Sequence, residues 1–407
     1  MNPIHRRPRG ALPAAARALA STALLALAAC GSGEGQTPSP LSPEAALGEK
    51  IFHDRTLSAS GQQSCASCHD AAFGHGAPNA LASQLGGPGL DLQGTRTAPS
   101  LRYLASNTAF HFDDEDTPTG GFFWDGRAPS LAAQAQGPFL NPVEMANPSP
   151  AAVVAKLAGA PYAAEFVRLY GQDILQHPQA AFERMAQALE TYQREDPAFQ
   201  PFSSKYDAVL RGEARLSAQE ARGLQWFKSA DKGNCAACHP ADKGADGSHP
   251  LFTDFTYDNL GLPRNPELPA NRDPAFFDLG LCAREGGDLL ARTELCGAFK
   301  VPSLRNVALR QALFHNGYFK DLREAVLFYV QRDTHPEKWY PRRADGSVHK
   351  FDDLPPAHHA NVNTDEVPYD RQPGDTPALT DAEVDDVVAF LKTLTDGYQA
   401  PPSGQPD

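Results

Sequence analysis

Cys65-Ala66-Ser67-Cys68-His69 and Cys235-Ala236-Ala237-Cys238-His239 are the two stretches on which the reading of this 407-residue chain turns. Two thiols at this spacing add across the vinyl groups of a porphyrin as thioethers, and the adjacent His, held by the same turn, binds the iron from the proximal side. Each stretch is therefore a complete attachment site for a c-type haem, and two covalent haems are expected. The competing reading is a zinc knuckle or a redox-active Cys pair. Both copies carry the immediate His, however, and no further Cys pair lies nearby to complete a zinc site.

Working outward, the chain repeats itself weakly. Leu41-Ser42 and Leu216-Ser217 each stand seven residues before a Gly (Gly48, Gly223), and each Gly stands four before a Phe (Phe52, Phe227). Ser42 with Pro43 reads as an N-cap followed by Pro at the first helical position, and Ser217 with Glu220 reads as a capping box. Each half thus opens with a helix that leads into its haem motif. Thr380 with Glu383 is a further capping box, and Val384, Val387, Val388 and Leu391 after it form one apolar helical face. That helix resembles the closing helix that packs against haem in cytochrome c domains. Between helices lie long runs rich in Gly and Pro, notably Gly86 to Pro99, His111 to Gly121, Pro240 to Asp278 and Tyr340 to Pro377, while strand-like alternation is scarce. The expected fold is mainly α: two cytochrome c-type domains, residues 44–205 and 206–398, with long ordered loops around one covalent haem each, and a disordered tail over 399–407.

The amino terminus reads as an export signal. Arg6, Arg7, Arg9 and Arg17 precede an apolar stretch from Ala18 to Ala29 that is too short to remain as a membrane span. Small residues before Cys30 are similar to a bacterial lipobox, so residues 1–29 are expected to be removed and Cys30 to carry lipid. Residues 30–43 then form a flexible tether that holds the protein in the periplasm at a membrane. Of seven cysteines, four serve haem and one lipid. Cys282 and Cys296 are left over and are expected to form a disulfide, closing a loop worth about 3 kcal/mol in the chain-entropy model. The 41% hydrophobic content allows two ordinary cores, and a net charge of -13 argues against nucleic acid as a partner.

Further motifs bring a resemblance to a known family. Phe123-Trp124-Asp125-Gly126-Arg127, then Gln134, Gly137-Pro138, Asn141-Pro142-Val143-Glu144-Met145, and later Val301-Pro302-Ser303-Leu304-Arg305-Asn306 with Phe314-His315-Asn316-Gly317, resemble the signatures of the bacterial di-haem cytochrome c peroxidases and their MauG-type relatives, in the same order. The resemblance implies that Glu144 and Gln134 are the distal acid/base pair above a peroxide-binding first haem. Moving a proton between the two oxygens of a peroxide is work a carboxylate beside an open iron can do. It implies that Trp124 lies between the haems.

Two departures set the chain apart within that family. Ordinary members resemble one another in a Met ligand on the second haem, but this chain has no Met after Met185. The matching position is Tyr329, which resembles the His/Tyr haem of the MauG type; an anionic phenolate favours oxidised iron. Ordinary members also resemble one another in a His that closes the first haem at rest. Ala80 to Thr97 contains none, and His75 stands too close to His69 to match, so the first iron is expected to be open and His75 to be a loop or propionate partner. The family's calcium ion between the domains is also implied, although Thr97 stands in place of its Asn, and Arg310 and Ala312 in place of its Thr and Pro.

These resemblances imply a peroxide-dependent oxidoreductase that reaches a high-valent state shared by two haems and oxidises a residue, a Trp, of a partner protein. The tail, with Arg332 to Pro336, Asn361-Val362-Asn363 and Leu394 to Tyr398, resembles the methanobactin-associated, MbnH-like branch. The rival expectations are a detoxifying peroxidase fed by a small redox protein, against which the missing Met counts, and a plain di-haem electron carrier, against which Glu144 and Gln134 count.

Overall fold

Ser42 starts the first helix in the way its sequence suggests: its hydroxyl accepts the Ala45 N–H at 3.2 Å, and Pro43 occupies the first turn. The computed structural model describes residues 40–400, so the expected signal peptide, Cys30, most of the tether and tail residues 401–407 lie outside the described residues. In chain order the α-helices are α1 (Pro43–His53), α2 (Cys65–Cys68), α3 (Leu131–Leu140), α4 (Pro150–Ala158), α5 (Ala163–Tyr170), α6 (Pro178–Glu195), α7 (Lys205–Arg211), α8 (Ala218–Lys228), α9 (Leu322–Gln331) and α10 (Asp381–Lys392). The capping boxes read at Ser217 and Thr380 open α8 and α10. Extended structure is confined to three two-stranded antiparallel sheets: β1 (Leu85–Gly86) with β2 (Leu92–Gln93), β3 (His111–Phe112) with β4 (Pro118–Thr119), and β5 (Tyr257–Asp258) with β6 (Phe299–Lys300). The structure is mostly helical, as expected.

The repeated glycines have a packing explanation. α1 crosses α6, and a Cβ added to Gly48 would sit 2.0 Å from the Ala188 carbonyl oxygen; α8 crosses α10, and a Cβ on Gly223 would sit 1.9 Å from that of Asp386. Backbone touches backbone at both crossings, which only Gly permits. One hydrophobic core gathers around α1 and α6 (Leu47, Phe52, Phe139, Phe182, Leu189), and a second around α8, α9 and α10 (Phe227, Phe252, Phe328, Val384, Phe390). The first half's closing helix, α6, was not singled out from sequence; the second half's, α10, was.

The halves are tied by polar contacts. Asp396 accepts from the Tyr103 hydroxyl at 2.7 Å and from Arg102 at 3.1 Å, and the Thr97 N–H donates to the His315 carbonyl at 2.8 Å. Cys282 and Cys296 are joined as a disulfide, as expected from the cysteine count. No helix among the described residues is long and apolar enough to cross a membrane.

Candidate active site

Each Cys-Xaa-Xaa-Cys-His motif folds as a single helical turn, α2 in the first half and a 3-10 turn over Cys235–Ala237 in the second. The His N–H closes each turn onto the carbonyl of the first Cys, at 2.9 Å in both. His69 Nδ1 lies 3.0 Å from the Pro99 carbonyl and 3.2 Å from that of His75, and His239 Nδ1 lies 2.8 Å from that of Phe252. A carbonyl can only accept, so Nδ1 carries the proton in both rings and the Nε2 lone pair is left for a metal. Burial pushes the His69 pKa down to about 4 and lowers that of His239, keeping both imidazoles neutral. The four thiols are unpaired, and burial pushes Cys65, Cys235 and Cys238 up to about 12 and Cys68 to about 11.

Across the first turn stand the two residues expected to act on peroxide. Gln134 rides on α3, and Pro138 and Asn141 follow it at helical spacing along the same cavity-lining face. Glu144 is presented by the turn after α3, where Asn141 Nδ2 donates to its Oε1 at 2.8 Å. Burial raises the Glu144 pKa, opposed by the Arg127 charge and by that hydrogen bond. The β1/β2 hairpin docks on this turn. Gly87 N–H donates to the Glu144 carbonyl at 2.7 Å, and a Cβ on Gly86 would sit 2.2 Å from that of Val143. His75 is on the proximal side instead, its ring stacked on Phe199 at 4.2 Å and its carbonyl accepting from His69, a loop partner as expected.

Trp124 lines the same cavity as the two motifs. Its indole N–H donates to the Thr97 carbonyl at 2.9 Å, and its own carbonyl accepts the Lys300 N–H at 2.9 Å. The next residue, Asp125, is held by Arg96 at 2.6 Å and Arg127 at 2.8 Å, and Arg96 continues to Asp278 at 2.7 Å. The His315 ring lies against Trp124 at 6.4 Å and stacks on Phe299 at 3.4 Å, and burial pushes its pKa down to about 3. Lys300, enclosed beside Phe122, donates to the Gly121 carbonyl at 2.5 Å and is pushed down to about 7. Sequence reading missed this surround of Trp124. The Phe314-His315 motif was visible as a signature, but nothing local marks Lys300 or Asp278.

Tyr329 sits on α9, facing the second motif across the same cavity, with its ring 5.6 Å from Phe314 and 6.0 Å from Tyr369. Burial raises its pKa above the ordinary phenol value. Among the described residues no group hydrogen-bonds its hydroxyl, which leaves the oxygen available. Of the other tryptophans, Trp226 on α8 is half-buried and Trp339 is buried.

One continuous cavity of about 730 Å³ joins these parts, reaching from Gln134 and Glu144 past Trp124 to Tyr329, with all four motif thiols and both motif His residues on its walls. Paired thiols on the wall, an imidazole oriented by a carbonyl and a largely apolar lining are what a covalently held porphyrin needs, so the residues present fit two haems. They do not fit the expected calcium. The Thr97 carbonyl is taken by the Trp124 indole, and the Ala98 carbonyl by the Arg310 guanidinium at 2.9 Å. The Thr97 hydroxyl that stands at the family's Asn position is buried without a partner, and the Arg310 side chain brings a positive charge to the adjoining Ala98 carbonyl. Among the described residues there is no group of three or more His, Cys, Asp or Glu side chains able to hold a metal ion.

Residues 42–215 match the family described as di-haem cytochrome c peroxidase. The chain is 40% identical over 394 residues to the methylamine utilization protein MauG of Paracoccus denitrificans (strain Pd 1222), covering 94% of this chain and 96% of that one. Its fold is similar to the crystal structure of the diheme peroxidase BthA from Burkholderia thailandensis E264, with 42% identity, a TM-score of 0.80, and coverage of 88% and 87%. A MauG-like protein associated with microbial copper homeostasis is less similar, at 25% identity and a TM-score of 0.59, covering 88% of this chain and 91% of that one.

Proposed function

This chain belongs to the di-haem cytochrome c peroxidase and MauG family of oxidoreductases, and from that premise we propose that it uses hydrogen peroxide to oxidise a residue, a Trp, of an exported partner protein. The observation that carries the reading is the pairing, in one cavity, of an open acid/base side at Glu144 and Gln134 with a Tyr, not a Met, facing the second motif.

When bound, two haems held by Cys65, Cys68 and His69 and by Cys235, Cys238 and His239 supply iron that takes up peroxide and stores the oxidising equivalents. The chain's own groups do the rest. Glu144, whose pKa is raised by burial, takes the proton of incoming peroxide on a carboxylate oxygen and returns it to the departing oxygen; Gln134 beside it orients the same molecule by hydrogen bonding. Asn141 fixes the carboxylate's rotamer, and the β1/β2 hairpin holds the Glu144 backbone. Trp124 provides an aromatic ring midway, anchored at both ends by hydrogen bonds. Tyr329 would hold the second haem through its phenol oxygen, losing its proton on binding the iron; an anionic oxygen there would favour oxidised iron and disfavour storage of an electron for peroxide detoxification.

We further assign residues 44–205 and 206–398 to one haem each, and place the mature protein in the periplasm, tethered through lipid on Cys30. The test is to incubate holoprotein and peroxide with an exported, Trp-bearing candidate partner or with a reduced small c-type cytochrome. Oxygenation of a partner Trp by mass spectrometry supports the proposal. Rapid cytochrome oxidation with an unmodified partner would make the chain a detoxifying peroxidase.

A further inference from the structure

Two loop regions of the first half, residues 74–82 and 96–99, meet residues 306–320 of the second half. Gln311 Nε2 donates to the Pro78 carbonyl at 3.3 Å, Lys320 Nζ donates to that of Ala80 at 2.8 Å, and a Cβ on Gly317 would fall 2.7 Å from the Ala82 Cα. Into this junction the second half sends the guanidinium of Arg310. It donates to the Ala98 carbonyl at 2.9 Å, and a Cβ placed on Gly76 would come within 3.0 Å of it, so Gly76 leaves the room that the guanidinium occupies.

Those two contact points have a common meaning. Ala98 precedes Pro99 and Gly76 follows His75, and the carbonyls of Pro99 and His75 are the two acceptors that hold His69 Nδ1–H. Arg310 thus touches, from the other half of the molecule, both loops that orient the first proximal imidazole. No carboxylate pairs with it among the described residues. Burial alone lowers its pKa, to about 10, so it remains charged at neutral pH.

We propose that Arg310 is the resident cation of this junction, standing where the family resemblance places a calcium ion, and that it is a positioning residue for His69. Calcium takes six to eight oxygen ligands. Here the Thr97 and Ala98 carbonyls are committed to N–H donors, and a second cation beside a guanidinium meets repulsion that no carboxylate offsets. The covalent cation also does something an exchangeable ion cannot: it couples the second half to the first proximal loop irrespective of the calcium concentration outside. A positive charge near the proximal imidazole opposes electron donation from the ring and favours the reduced iron, so it raises the first haem's potential. The inference rests on both haems being attached and is independent of which partner is oxidised.

The test uses full-length holoprotein. Calcium content is measured on the wild type by elemental analysis after exchange into calcium-free buffer, and both haem potentials are measured by spectroelectrochemistry with calcium or a chelator added. The same titration is run on Arg310→Gln and Arg310→Lys. The expected results are substoichiometric calcium, potentials indifferent to calcium and chelator, a lower first-haem potential in Arg310→Gln, and a value near wild type in Arg310→Lys, with the second haem unmoved throughout. Stoichiometric calcium in the wild type would overturn the proposal, even where Arg310→Gln fails to take up haem. So would an unchanged first-haem potential in a fully loaded Arg310→Gln.

Discussion

At Gly48 and Gly223 the two halves of the molecule solve the same packing problem in the same way, whereas at Glu144 and Tyr329 they part. Both halves open on a capped helix, cross it backbone to backbone with a closing helix, and hold a neutral imidazole by a carbonyl on Nδ1. On the first half's side of the cavity, α3 and the turn after it present an amide, Gln134, and a carboxylate, Glu144. On the second half's side, α9 presents a phenol with no hydrogen-bond partner among the described residues. The shared proximal architecture is suited to holding a cofactor in each half, and the function we propose rests on the difference opposite: one half would admit peroxide and move its protons, and the other would retain oxidising equivalents.

Erasing that difference should have the largest effect. Tyr329→Met gives the second half a neutral ligand of the ordinary peroxidase kind, and it should abolish partner oxidation while leaving two haems per chain by pyridine haemochrome assay. Unchanged turnover in a fully loaded variant would remove Tyr329 from the mechanism. Glu144→Gln attacks the other side of the comparison, keeping the shape of the pocket but not its base. The rate of the peroxide-dependent spectral change in stopped flow should fall by about 10²- to 10⁴-fold with little change in the resting spectrum. Because burial raises the Glu144 pKa and the proton acceptor is the ionised form, the wild-type rate should rise with pH through an apparent pKa above the ordinary carboxylate value of about 4.3. That rising limb should vanish in Glu144→Gln.

The similarity can be tested too, at smaller cost. Gly48→Ala and Gly223→Ala each force a methyl group into a carbonyl, so each should destabilise by about 1–3 kcal/mol, and by similar amounts. Thermal unfolding checks this. A strong effect at one site and none at the other would show that the two crossings are not equivalent.

Much of this was legible in the sequence because the informative groups are close together in the chain. The haem motifs, the N-caps at Ser42, Ser217 and Thr380, and the Gly-to-Phe spacing of the two opening helices are local patterns with local causes. The disulfide followed from counting, since Cys282 and Cys296 had no other employment. What stayed hidden depends on contacts between distant loops. Gly48 was noticed as a repeat, but its reason, the carbonyl of Ala188, is 140 residues away. Arg310 was read as a weakened calcium position; that its guanidinium reaches the Ala98 carbonyl could not be seen without the fold. Lys300 belongs to the same class, since its surroundings, Gly121 and Phe122, come from the other half.

The most direct test of the division between the halves is electron paramagnetic resonance of the resting ferric holoprotein. An open first site and a His239/Tyr329 second site predict one high-spin and one low-spin haem in equal amounts. Two low-spin signals would mean that a ligand closes the first iron at rest, and the assignment of peroxide entry to the Glu144 side would be contradicted.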